Sequence, residues 1–343
     1  MHVTKKNQTH AHDLAFWLFL ASALISALLL IRVSHAASHS TRTPHTLRLA
    51  TWNLQWLVAP ESLQALAKDC LKGKESRGNR IRYLYCDSLS DAKRSQLDFN
   101  ALARYANTLD ADIVAIEEVD GASAAKLVFT NHAFCFSAHP GVQNNGFAIR
   151  QGIKFRCGKD LIELSLNDRV RRGTELILYP GEAREIRLLS VHLKASCGRY
   201  SLDSQREPCA TLARQVPVLE GWVDAQAAAG RSFVILGDFN RELLWESGPP
   251  RNENGAVRNL FSELNDDDPR GAKLINTAAG QPYSNCVPTQ NYLGYIDQIL
   301  LSESLDALRV PNSFIRLTYD PIEASERKLS DHCPLGVDFL LDP

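Results

Sequence analysis

The chain has 343 residues, room for one large domain or two modest ones with ample core in either case. Its 38 basic and 39 acidic side chains leave a formal net charge of -1, so there is no global basic field and a protein that coats nucleic acid by bulk charge is excluded. Local basic patches remain open.

The N-terminal segment carries an export pattern. Lys5 and Lys6 precede an apolar run from Leu14 to Ile31, and Ser34-His35-Ala36 then offers the small residues a signal peptidase reads. The run is long for a signal peptide and just long enough to span a bilayer, so residues 1–36 are expected to be either a cleaved signal or an uncleaved membrane anchor through 14–31. Either alternative exports the remainder, to the periplasm or the medium or on a membrane with the domain outside the cytoplasm. Residues 37–45 read as a polar linker, and 46–343 as the folded domain.

Within that domain, "LRLATWNLQWL" alternates from Leu47 to Trp52 and predicts the first strand. A polar insertion over 68–95 follows. The segment from Leu97 to Gly121 then reads as an amphipathic helix and a buried strand at 113–116. Further strands are expected at 133–137, 146–150, 174–179, 186–193, 232–237, 295–301 and 335–341. A long helix is expected over 209–229, and 246–272 reads as surface loop with one short helix. Strands throughout, with few helices between them, favour sheets packed together and covered by helices.

All eight cysteines (70, 86, 135, 157, 197, 209, 286 and 333) follow the hydrophobic segment, an even number suited to disulfides in an exported protein. No CxxC pair occurs, which argues against structural zinc. Nearest-neighbour pairing is the working expectation, favoured by the loop-like stretches that Cys70/Cys86 and Cys197/Cys209 bracket. Cys333, beside His332, is expected in a disulfide, with Cys286 as partner.

Six segments set a polar residue against an apolar run: Asn53 after "RLATW", Glu118 after "DIVAIE", His192 in "SVHLK", Asp238 and Asn240 in "VILGDFN", Asp297 in "YIDQIL", and Asp331-His332 in "SDHCPL". One such residue is noise, but six segments point to strand ends converging on one cleft. The chemistry fits phosphate-ester hydrolysis. Mg²⁺ prefers carboxylate and carboxamide oxygens, which Asn53, Glu118 and Asp331 can supply, while the histidines are left for acid–base work or phosphate contact. Asp297 is placed to orient His332. Lys194 and Arg150 read as solvated charges.

In this order the motifs resemble the endonuclease/exonuclease/phosphatase superfamily, the group of deoxyribonuclease I, over about residues 47–341. The resemblance implies an α/β (α+β) four-layer sandwich of two mixed sheets flanked by helices, and hydrolysis dependent on a divalent metal: Mg²⁺, or Mn²⁺ or Ca²⁺, as one ion or two. It implies Glu118 as leading metal ligand with Asn53 and Asp331 in support. His332, paired with Asp297, becomes general base or phosphate-positioning group, and His192 partner acid or transition-state stabiliser. Asp238 becomes the water-activating or second-metal carboxylate, and Asn240 the phosphate-orienting amide. Glu117 stands where the family commonly has Gln; because neighbouring strand residues face opposite ways, only one of Glu117 and Glu118 is expected to reach the cleft, and alignment chooses Glu118.

These readings converge on an exported phosphodiesterase acting on nucleic acid, with Arg169, Arg171, Arg172, Lys194 and Arg199 as the local basic patch. A sphingomyelinase-like or small-molecule phosphoesterase is the alternative with the same chemistry. A non-catalytic envelope binding protein is the alternative of another class, and it would have lost a ligand or a histidine that this chain keeps.

Overall fold

The computed structural model describes residues 46–71, 80–81, 84–86, 89–246, 258–287, 290 and 292–341. The export segment with its apolar run 14–31, the 37–45 linker, and parts of the 68–95 and 246–272 insertions lie outside the described residues. Among the described residues, no helix is long and apolar enough to cross a membrane.

The strands in chain order are β1 (Thr46–Leu57), β2 (Arg80–Ile81), β3 (Leu84–Tyr85), β4 (Ile113–Val119), β5 (His132–Phe136), β6 (Asn144–Arg150), β7 (Phe155–Leu161), β8 (Gly173–Leu178), β9 (Ile186–His192), β10 (Ser232–Asp238), β11 (Leu274–Asn276), β12 (Asp297–Ser302), β13 (Ile315–Arg316) and β14 (Leu335–Leu340). The three longest described helices are α1 (Pro60–Leu71), α2 (Gln96–Leu109) and α3 (Glu207–Ala228). Two six-stranded sheets result, in the orders β13-β14-β1-β4-β6-β5 and β11-β12-β10-β9-β8-β7, and β2 and β3 pair separately. Each large sheet has one parallel pair near its centre, β1 with β4 and β9 with β10, flanked by antiparallel neighbours.

Strand alternation builds the layers. Leu49, Ile113, Ala115, Leu188, Val234, Leu236, Ile299 and Val337 point between the sheets and form one core. The intervening residues point outward: Ala50, Trp52, Val114 and Ile116 meet Phe99 and Leu102 of α2, while Leu189, Val191, Phe233 and Ile235 meet Leu212, Val216 and Leu219 of α3. The expected four layers, helix, sheet, sheet and helix, are therefore present. Helix α2 begins in a reciprocal cap: Ser95 N donates to Asp98 Oδ2 at 2.7 Å, and Asp98 N to Ser95 Oγ at 3.3 Å.

The expected strands appear with ends shifted by a few residues. Strand β7 was not expected. It is a partly exposed edge strand whose sequence, FRCGKDL, has no clean alternation, and its pairing with β8 slips between Cys157 and Asp160. Helix α1, entered through Pro60 at its first turn, precedes the polar insertion and runs into its first residues.

All described cysteines are paired: Cys70–Cys86, Cys135–Cys157, Cys197–Cys209 and Cys286–Cys333. Cys135–Cys157 joins β5 to β7 and so ties together the edge strands of the two sheets. Cross-linking a loop of this length stabilises by about 2–4 kcal/mol through the unfolded chain. The Cys135→Ser/Cys157→Ser double variant is accordingly expected to lose about 2–4 kcal/mol of unfolding free energy, read by urea titration of tryptophan fluorescence. An unchanged midpoint and slope would show that the sheet edges hold without the bridge.

Candidate active site

At one end of the molecule the layer between the sheets turns from apolar to polar. Along β1, Leu49 is followed on the same face by Thr51 and Asn53; along β4, Ala115 by Glu117; along β9, Leu188 by Ser190 and His192; along β10, Leu236 by Asp238. On β12 the face runs the other way, from Asp297 into Ile299 and Leu301. Register aligns these positions. Asp238 lies opposite His192 on one side and Asp297 on the other, and Asn53 lies opposite Glu117. Five strands from two sheets thus bring their polar residues to one end.

Glu118 reaches the same place by a different route. Alternation alone would turn it away, but its φ of +59° and the slip in pairing between Ile116 and Val119 redirect the chain. Its Oε2 accepts from Trp56 N at 3.1 Å and Gln143 Nε2 at 2.7 Å, and its Oε1 lies 3.4 Å from Asn53 Nδ2 and 3.8 Å from His192 Nε2. Glu117 stays fully buried between the sheets, receiving Ser190 Oγ at 3.1 Å and Thr51 Oγ1 at 3.4 Å.

Asp238 is the hub. Its Oδ2 accepts from Asn53 Nδ2 at 3.0 Å and Asn240 Nδ2 at 3.1 Å, and lies 3.4 Å from His192 Nε2 and 3.9 Å from His332 Nε2. Its Oδ1 accepts from Asn240 N at 2.7 Å, a turn closed by the left-handed φ of +53° at Asn240. Asn53 turns its amide nitrogen toward the carboxylates of Asp238 and Glu118 while its oxygen accepts from Gln55 N at 2.9 Å, so it braces those two acids in this arrangement. Across the cleft, Asp297 holds His332 by Nδ1, at 2.8 Å from Oδ2 and 3.0 Å from Oδ1.

The segment before β14 is docked onto the end of β1. Ser330 Oγ donates to Asn53 O at 2.6 Å, Asp331 N donates to Gln55 Oε1 at 3.1 Å, and His332 O accepts from Trp52 Nε1 at 3.1 Å and from the Tyr319 hydroxyl. Asp331 keeps 38% of its side chain exposed, at the mouth. The Cys286–Cys333 bridge fastens the next residue. All eight residues singled out in the sequence therefore meet here.

Burial and crowding set the charges. Burial pushes the Asp238 carboxyl up to about 7. Burial, reinforced by Asp297 and Asp238, holds Glu117 well above the carboxylate range, and burial raises Asp331 as well. The two histidines part company. Burial works against a charged His332, but the carboxylates of Asp297 and Asp238 outweigh it and hold the imidazolium well above the usual range. His192 is pushed well below that range by burial, Arg171 and His332, and its Nδ1 is buried without a hydrogen-bond partner.

Sequence reasoning missed Gln143, Gln55 and the Trp56 amide as supports of the acids, for want of any motif around them. It also placed Arg171 and Arg172 together in one basic patch around the cleft, and the structure separates them. Arg172 is engaged by Asp168 at 2.8 Å and Asp160 at 3.3 Å, whereas Arg171 sits beside Glu118 and Asp238 with a weak 3.3 Å bond to Leu193 O and a buried Nε that has no partner. Arg199 is paired with Glu242, and Arg150 with Asp110 and Asp112.

Five crowded carboxyl groups, those of Glu117, Glu118, Asp238, Asp297 and Asp331, ask for a cation, and an oxygen-rich donor set suits a hard divalent ion. Asp238, Asp297 and His332 each bring a potential ligand atom to within 4.8 Å of the others. Asp297 occupies Nδ1 of His332 and leaves only Nε2, a nitrogen that a hard divalent ion takes less readily than carboxylate oxygen. The better donors are carboxylate oxygens, for which Glu118, Asp238 and Asp331 are the candidates.

The profile of the endonuclease/exonuclease/phosphatase family matches residues 50–332. Among solved structures, TDP2 of D. rerio, crystallised with a single-strand DNA product, aligns with a TM-score of 0.53 at 15% identity, covering 86% of this chain and 99% of that one. TDP2 of C. elegans aligns with a TM-score of 0.52 at 13% identity, covering 99% of this chain and 96% of that one. At such identities the likeness is one of fold. No curated protein matches by sequence.

The crowding has a measurable consequence in chelator. A carboxyl whose folded pKa is raised contributes stability that is complete below its unfolded value and is lost as pH rises through the folded one, about 7 for Asp238. Glu117 and Asp331, raised, and His332, also raised, act in the same direction, while the lowered His192 acts in the opposite one. The melting temperature is expected to fall between about pH 5 and 8, and Asp238→Asn to flatten the fall. A wild-type profile that is level, or one that Asp238→Asn leaves unaltered, would contradict the charge assignment.

Proposed function

The chain belongs to the endonuclease/exonuclease/phosphatase family, and from that premise we propose that it is an exported, divalent-metal-dependent phosphodiesterase that cleaves DNA or RNA. The observation that carries the reading is the split between two histidines around one carboxylate hub: a charged His332 oriented by Asp297, a neutral His192, and Asp238 between them.

Each residue then has a task. His332 donates from Nε2 to a phosphoryl oxygen and stabilises the charge that grows there. Asp238, titrating near neutrality, takes the proton of the attacking water and is held in place by Asn53 and Asn240. His192, neutral and enclosed, donates a hydrogen bond as the transition state forms. Arg171 offers its unpartnered Nε to the phosphate from the His192 side. Glu118 and Asp331 would hold the cation, with Asn53 bracing Glu118 and Asp238, and such an ion would supply Lewis-acid polarisation of a phosphoryl oxygen and offset the crowded negative charge.

Nucleic acid as substrate is supported by the rim. Tyr292 stands 37% exposed near Asp331 and Asp238, Leu293 is 70% exposed beside it, and Tyr200, 53% exposed, carries Arg206 stacked on its ring at 4.1 Å. Exposed aromatics near an arginine suit the stacking of unpaired bases. The exposed Leu293 also fits the apolar surface of a membrane that presents a lipid phosphodiester, which is the second reading. Export is supported by four disulfides and by the apolar run at 14–31.

The test is a substrate panel of single-stranded DNA, RNA, sphingomyelin vesicles and small phosphomonoesters, with Mg²⁺ and with chelator. We expect Mg²⁺-dependent cleavage of a nucleic acid, falling as salt rises, and a loss of roughly 100-fold or more in Glu118→Gln with near-UV dichroism unchanged. Turnover of sphingomyelin or a phosphomonoester with no nuclease activity at low salt would transfer the reading to the other substrate class. Full activity in chelator, or in Glu118→Gln, would remove the metal.

A further inference from the structure

Arg94 lies at the end of the polar insertion, immediately before the cap of α2, and is buried although none of the six segments singled out in the sequence contains it. Its guanidinium donates to five backbone carbonyls: Leu54 at 3.1 Å, Gln55 at 2.8 Å and Trp56 at 3.0 Å on one side, Lys328 at 3.1 Å and Leu329 at 2.8 Å on the other. Such a planar fork satisfies carbonyls on two chain segments at once, which a lysine ammonium on its single stem cannot reproduce.

The two segments it joins carry Asn53 on one side and Asp331 and His332 on the other, and the first of them also holds Glu118 through Trp56 N. Gln55 and Trp56 both adopt left-handed backbone, with φ of +46° and +55°, a costly conformation for residues with side chains. That turn grips the site by four bonds: Gln55 N to Asn53 Oδ1, Gln55 Oε1 from Asp331 N, Trp56 N to Glu118 Oε2, and, just before it, Asn53 O from Ser330 Oγ. Its carbonyls point the other way, onto Arg94. Asp98 of the adjoining cap adds a bond from Lys328 N at 3.0 Å, so the start of α2 holds both segments.

We propose that Arg94 is a positioning residue of the hydrolytic centre: by clamping the strained turn at Gln55–Trp56 to the chain at Lys328–Leu329, it sets the separation of Asn53 and Glu118 from Asp331 and His332. This rests on the reading of the site given above. Arg94 touches neither substrate nor ion and acts through the turn. It keeps its charge at neutral pH, since burial lowers it only to about 10.

The experiment uses the full chain and three variants, Arg94→Ala, Arg94→Lys and, as a buried arginine bonded to Asp338 at the opposite end of β1, Arg48→Met. Mn²⁺ binding is measured by calorimetry, turnover on the active substrate by initial rates, and the His332 imidazole by histidine-selective NMR of metal-free protein. We expect Arg94→Ala to weaken Mn²⁺ binding and lower kcat by about 10–100-fold with KM little changed, and to shift the His332 resonance. Guanidinium ion, added well below denaturing concentration, is expected to restore part of both losses. Arg48→Met should lower Tm and leave Mn²⁺ affinity and the resonance alone. If Arg94→Ala does not fold, Arg94→Lys is expected to show the same losses in smaller degree. Wild-type Mn²⁺ affinity, turnover and His332 resonance in a folded Arg94 variant would overturn the proposal. A wild-type protein that binds no Mn²⁺ and cleaves no phosphodiester would instead defeat the reading of the site, and the His332 resonance would still decide Arg94: shifted in the variants it upholds the clamp, unshifted it refutes it.

Discussion

Everything in this molecule turns on what lies between its two sheets. Over most of their length the facing strands interdigitate aliphatic side chains, and at one end the same face continues as Thr51, Asn53, Glu117, Ser190, His192, Asp238 and Asp297. Groups of that kind are expensive to enclose unless each finds a partner. Here they pair with one another and with backbone, and the residual cost appears as titration far from the ordinary ranges. The apolar part of the layer supplies the rigidity that keeps like charges close, so stability at one end of the sandwich underwrites reactivity at the other.

The charge pattern divides labour without any difference in residue type. His192 and His332 approach the same Asp238 oxygen, at 3.4 and 3.9 Å, yet one is held neutral and the other charged. The cause is local: His332 has Asp297 on its Nδ1, whereas the Nδ1 of His192 faces no acceptor and Arg171 stands near. A hydrogen-bonded acid behind one ring, against burial and a nearby cation at the other, separates an electrostatic stabiliser from a neutral donor.

Much of this was legible in the sequence because it is carried by strand alternation. The strands that hold the site and the packing of sheets under helices follow from period-two patterning and turn residues, the cysteine pairs from short separations, and the four-layer arrangement from the resemblance of the motifs to a known family. What was not legible depends on departures from that period or on distant contacts. Glu118 reaches the cleft through a left-handed residue and a slipped register, so only its resemblance to a known motif selected it over Glu117. Arg171 and Arg172 are neighbours in sequence with opposite fates, since one is neutralised by Asp168 and Asp160 and the other is turned inward. Arg94 is separated from Leu329 by most of the chain, and nothing local distinguishes it from a solvated charge in a polar insertion. Strand β7 was hidden because an edge strand with both faces partly exposed leaves no alternation to read.

The central claim is that the polar end of this layer is built around a divalent cation held by carboxylate oxygens. Anomalous diffraction from crystals soaked in Mn²⁺ tests it most directly. The account predicts a peak bonded to Glu118 and within reach of Asp331 or Asp238, with His332 still on Asp297. A peak elsewhere, or none at a concentration that supports turnover, would contradict it.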